Sequence, residues 1–188
     1  MKREVLDLTE DDGYDALRDH VAERARIGRE RYGPRIDEGA LLRLIQDRDV
    51  IRFPVRIAFD ESLLLDGEFA WARAIGESPK DGYEIVVEPM FRDREDDLVA
   101  IVAYHLVRVN YLDVATHVEA ELFGATLLGI EVDEYYEKLC KLADELPRPA
   151  MREVLEFDDA EESAVPVEGS GADAGGSCSQ GTCGCGGG

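Results

Sequence analysis

Ten residues near the middle of the chain, Leu98-Val99-Ala100-Ile101-Val102-Ala103-Tyr104-His105-Leu106-Val107, carry no formal charge and only one conspicuous polar side chain, His105. They predict a helix over 94–110 that is apolar almost all round. Such a helix has to be buried on most of its faces. The chain has no run of about 18 apolar residues, the length a membrane span needs, so that burial must come from the rest of the protein.

The flanking sequence supplies the partners. Thr9, with Asp12 three residues on, predicts an N-cap; the helix it opens carries Tyr14, Leu17, Val21 and Ala25 at three- and four-residue steps and stops at Gly33-Pro34. A short helix over 40–45 follows. Residues 50–59 alternate and are β-rich, with Pro54 pointing to an edge position. Turns at Asp66-Gly67 and Asp81-Gly82 separate a strand over 69–72 from a third over 83–88, closed by Pro89. Beyond the apolar helix, Asp113 is a candidate N-cap for a helix running to Leu128 and Gly129, and a last helix over 133–146 stops before Pro147. The expectation is an α+β fold, a small antiparallel β-meander packed with helices, in one domain over 1–150.

From about residue 156 the composition changes. Glu156 and the twelve residues after it include six acids and no base, and glycine and serine then dominate. With no apolar period to offset its ordering entropy, the segment 151–188 is expected to be a disordered tail.

The chain holds 42 acidic and 21 basic residues, a net charge of −21, and only Lys2, Lys80, Lys138 and Lys141 among the bases are lysine. Abundant acid with arginine far above lysine resembles the proteins of extreme halophiles, the haloarchaea in particular. Carboxylates hold water and cations at a surface facing concentrated salt, where screening is already complete within about 3 Å at 1 M. On that reading the charge reports the solvent. No basic patch stands out, so nucleic acid is not an expected partner. Met1-Lys2-Arg3-Glu4 leads straight into charged residues without the apolar stretch of a signal peptide, so the expected address is cytoplasmic.

Chemistry could reside in two places. The first is His105 on the apolar helix, followed on the next helix by His117 and Glu121, an i, i+4 pair on one face. Three N/O donors of this kind would suit zinc or another divalent ion; the plainer alternative is a hydrogen-bonded buried histidine beside a solvated face. Arg108 is expected to pair with a nearby acid such as Glu119. The order of strands, a buried helix with His, a turn, and a helix with Glu before an apolar run resembles the minimal zincin metallopeptidase fold of the small ImmA/IrrE-type domains, over residues 50–130. That resemblance implies a zinc-binding His at His105 and a downstream Glu at Glu121 or Glu119. It also places Leu106 where the general base belongs and Val109 where the second His belongs. With the motif broken, no catalytic residue is assigned, and a domain without hydrolytic activity is implied; the alternatives are a metal-dependent hydrolase built on His105, His117 and Glu121, and a plain protein-interaction module.

The second place is the tail, where Cys178, Cys183 and Cys185 fall within eight residues flanked by glycine. Three thiolates on a pliant backbone suit Cu(I) or zinc, with a fourth ligand from solvent, a second chain or Cys140. A redox pair is the alternative. The tail's length would let the thiols reach a protein partner, which suits transfer of a metal better than storage. Cys140, among apolar neighbours, is expected to be core.

Overall fold

The computed structural model describes residues 9–146. Among these the chain forms α1 (Glu10–Tyr32), α2 (Glu38–Leu44), β1 (Val55–Phe59), β2 (Ala70–Ala74), β3 (Tyr83–Val87), α3 (Glu95–Tyr111), α4 (His117–Leu128) and α5 (Val132–Asp144). The α+β class expected from the sequence is the class observed. None of the described helices is long and apolar enough to cross a membrane. The expected disordered tail and its cysteines lie outside the described residues.

Helix α3 is the centre of the fold. Every residue from 98 to 103 is buried, as are Leu106, Val107, Val109 and Asn110. Strands β2 and β3 and helices α2, α4 and α5 all pack against it, and α1 packs along α4. The entry to α1 follows from its first residues: Thr9 Oγ1 accepts from the Asp12 N–H at 3.2 Å, and Asp12 Oδ2 accepts from the Thr9 N–H at 2.8 Å.

The strand connectivity differs from the expected meander. The order is β1-β3-β2, with β1 parallel to β3 and β2 antiparallel to it. β3 is apolar at four of its five positions and buried throughout, so it takes the centre of the sheet. β1 and β2 are partly exposed and form the edges. Residues 50–54 are turn, bend and irregular backbone outside the sheet, with Val50 and Ile51 sunk into the core. The one acid on β3, Glu84, sits in register between Arg56 of β1 and Arg73 of β2. Their Nε atoms donate to its two oxygens at 2.7 and 2.8 Å. Burial pushes the Glu84 carboxyl up, but these hydrogen bonds outweigh it and hold the group below its ordinary value.

Two glycines set the approach of the last helices. A Cβ on Gly124 would overlap the Tyr135 side chain, 2.1 Å from its Cζ, and the Tyr135 hydroxyl donates to the Ala100 carbonyl of α3 at 2.7 Å. Gly129 closes α4 in the left-handed region, φ 69°, its N–H donating to Ala125 O at 2.7 Å. The start of α4 is capped by Thr116 and not by Asp113. Thr116 takes the role because Glu119, three residues on, completes a capping box, accepting from the Thr116 N–H and Oγ1 at 2.8 and 2.6 Å.

Candidate functional site

His105 and His117 line the same cavity, about 240 Å³ in volume, between β2, the last turns of α3 and the start of α4. Trp71 and Tyr104 form aromatic walls; Val107, Leu112 and Ala120 complete an apolar lining. His105 is fixed edge-on against Tyr104 and Phe69, with ring centroids at 5.4 and 6.1 Å. Its Nε2 is sheltered from solvent and has no hydrogen-bond partner among the described residues. Burial, reinforced by the charge of Arg108, pushes its pKa from 6.5 down to about 4, so the ring is neutral near pH 7. The hydrogen-bonded buried histidine weighed from the sequence is thus not what forms at Nε2.

The other residues of that candidate site are dispersed. Glu121 does not line the cavity, although it is on the same helix as His117. Among the described residues no group of three His, Cys, Asp or Glu side chains is placed to hold a metal ion. Glu119 is buried and committed to capping Thr116, with Arg18 Nε 3.6 Å away. The expected Arg108–Glu119 pair does not form. Arg108 instead faces Asp113 at 3.4 Å and lies over the Trp71 ring, 5.3 Å from its centroid. Cys140 is exposed, because the buried stripe of α5 runs through Tyr135, Leu139 and Leu142 and leaves position 140 just outside it.

A second cavity, about 260 Å³, was not anticipated from the sequence. It is lined by His20 and Arg24 of α1, Arg48, Val50 and Arg52 of the α2–β1 connection, and Asn110 and Tyr111 at the end of α3. No acidic side chain among the described residues lines it. Among the described residues none of these three arginines has a carboxylate within 4.0 Å, in a chain with 42 acids for 21 bases. Buried Asn110 secures the connection: its Oδ1 accepts from the Arg52 N–H at 2.8 Å and its Nδ2 donates to Val50 O at 2.9 Å. Arg24 donates to the Asp49 carbonyl and, through Nε, to His20 Nε2 at 3.4 Å. Arg48 donates to Ile51 O, and Arg52 lies over the Phe53 ring.

His20 Nε2 faces the Arg24 Nε–H at 3.4 Å, and its Nδ1 shares a hydrogen bond of 2.9 Å with the Tyr111 hydroxyl. Burial pushes this phenol up to about 12, against the pull of Arg24, so it stays protonated at neutral pH. The cavity therefore presents guanidinium and phenol donors with no carboxylate competing for them.

Fold and cavities together describe a small α+β domain with two recesses sharing the C-terminal turn of α3. Comparison of the chain with protein-family models, with curated proteins and with solved structures finds no match.

Proposed function

We propose that the folded domain is a binding domain for a small oxyanion, with the arginine-lined cavity as its site and no hydrolysis involved. The observation that carries it is the gathering of Arg24, Arg48 and Arg52 around one recess without a carboxylate partner among the described residues. A guanidinium has five donors in a planar fork that matches phosphate or carboxylate oxygens. Arg24 commits two of its donors to the protein and Arg48 one, leaving most of the fork free. Three arginines around one recess suit an isolated anion and not an extended phosphate backbone. The absence of hydrolysis is supported by Leu106 and Val109, which stand at the positions a zincin would use for its base and second histidine.

Inorganic phosphate, followed by NMR at the arginine Nε–H groups, tests this reading. Saturable binding is expected, weakened about tenfold or more in Arg24→Gln and in Arg52→Gln, the worth of one charge-assisted hydrogen bond. Phosphate that fails to saturate, or variants that bind as the parent does, would overturn it.

A second reading rests on the spacing of Cys178, Cys183 and Cys185: the tail binds zinc or Cu(I) and passes it to a protein partner. Metal that co-purifies with the full chain and is lost from a chain ending near Glu156 is the expected result. Equal metal content in the two would sink this idea.

A further inference from the structure

The sheet ends on one side in β1, and that edge is open. In a parallel ladder alternate residues turn their backbone groups to the neighbour. The Tyr83 N–H donates to Pro54 O at 2.8 Å, so Pro54, Arg56 and Ala58 face β3. The N–H and C=O groups of Val55, Ile57 and Phe59 therefore point away from the sheet, and no backbone or side chain among the described residues bonds to them. Pro54 costs this edge no donor, because the N–H that proline lacks would have faced β3.

Side chains are uncovered there too. Val55, Ile57 and Phe59 share the core face with Tyr83, Ile85 and Val87. Helix α3 packs under β2 and β3, whereas β1 leans on β3, and Ile57 and Phe59 stay partly exposed. The opposite edge differs: Ala70 and Ala72 of β2, whose backbone groups also point away from β3, are buried outright. Open edges are ordinarily blunted by lysine, a bulge or a covering helix. Val55-Arg56-Ile57-Ala58-Phe59 has none of these among the described residues, and its one charge is tied across the sheet to Glu84.

Charge and shape select the occupant. A twofold pairing of β1 with the same strand of a second copy is antiparallel and self-complementary. Centred on Ile57, it sets Val55 against Phe59 and Arg56 against Ala58 in both directions, and each outward N–H meets an outward C=O. Asp60 continues the strand in extended backbone and lies on the Arg56 face. It comes diagonally opposite Arg56 of the second copy, within reach of a long side chain. Arg56 gives its Nε–H to Glu84 and has its other donors uncommitted among the described residues. Centring the pair on Arg56 instead would oppose like charges directly. We infer that β1 is a self-association edge, through which two copies of this chain pair antiparallel about Ile57 and join their three-stranded sheets into one.

Sedimentation of the full chain in about 1 M KCl, where repulsion between two acidic copies is screened within about 3 Å, is expected to show a monomer passing to a dimer as concentration rises. Amide hydrogen exchange locates the contact. When about nine-tenths of the chain is dimeric, the Ile57 N–H is expected to exchange about tenfold more slowly than in the monomer, since only the free tenth is open. The Arg56 and Ala58 N–H groups, bonded to β3 in either state, are expected not to change. Ile57→Pro removes the central outward donor where an edge strand tolerates proline, and is expected to weaken the dimer about tenfold or more. A chain that stays monomeric to millimolar concentration overturns the inference. So does a dimer in which the Ile57 N–H exchanges as in the monomer, or a folded Ile57→Pro chain that dimerises as the parent does. Protection of that N–H that is independent of concentration would put its cover within one chain and overturn it equally. Phosphate is read at the arginine Nε–H groups, so the two proposals fail separately.

Discussion

At the scale of single residues, His105 couples ionisation to folding. In the folded chain burial lowers its pKa to about 4, while in the unfolded chain it titrates near 6.5. Between those values the unfolded state binds more protons, so stability rises with pH there. The contribution is intact above 6.5 and is lost as pH falls toward 4, at about 1.4 kcal/mol per pH unit. Glu84, Asp47, Asp97 and Glu119 behave differently. Their folded values lie below the ordinary carboxylate range, so what they contribute persists until the pH drops under about 4.5 and is lost as it falls through those lowered values. Two limbs should therefore appear in a plot of urea-unfolding free energy against pH, and His105→Phe should remove the upper one alone. A parent protein whose stability is flat from pH 6.5 to 4.5 would contradict this assignment. His105 was legible in the sequence as the one imidazole in an apolar run. That its Nε2 goes unpartnered was not, because partners come from elements far along the chain.

At the scale of elements, what proved legible was local chemistry. Thr9 with Asp12 and the glycine at 129 fixed one helix start and one helix end, since caps depend on residues within a turn of each other. The start of α4 was also written locally. Asp113 and Thr116 are both cap-forming types, and only Thr116 is followed at the third position by a glutamate that can return the hydrogen bond. Strand order was harder, because chain order favours neighbours in sequence, whereas β3 is drawn between β1 and β2 by its own apolar faces. Cys140 shows the same limit on a finer scale. Its apolar neighbours suggest core, yet one step around α5 separates buried Leu139 from an exposed thiol. The arginine cavity could not be read at all. Its donors come from α1, a connection and the end of α3, and each arginine looks ordinary in an acidic sequence until three dimensions show it without a carboxylate partner among the described residues.

At the scale of the molecule, the acid excess and the arginine site pull in opposite directions. Removing the six acids of residues 156–168 and Asp173 from 42 leaves 35 against 21 bases in the remainder, a charge of about −14 before any ligand arrives. That field repels an anion at long range and strains the fold by self-repulsion. Salt addresses both, since the screening length falls from about 30 Å at 0.01 M to about 10 Å at 0.1 M and about 3 Å at 1 M. Added KCl is therefore expected to raise the melting temperature by several degrees or more between about 0.01 and 0.1 M, where screening first reaches neighbouring surface charges. If the surface is adapted to concentrated salt, the rise continues into the molar range, because hydrated cations held by carboxylates then add to simple screening. A plateau by about 0.3 M would mark an ordinary acidic protein, and a fall at low salt would mean that favourable ion pairs outweigh repulsion. Long-range steering is absent under concentrated salt, so an anion can be held only by direct contact. Three arginines lining one cavity, with Asn110 holding the backbone at Arg52 and Val50, would supply the direct contact that the proposed anion site needs under such conditions.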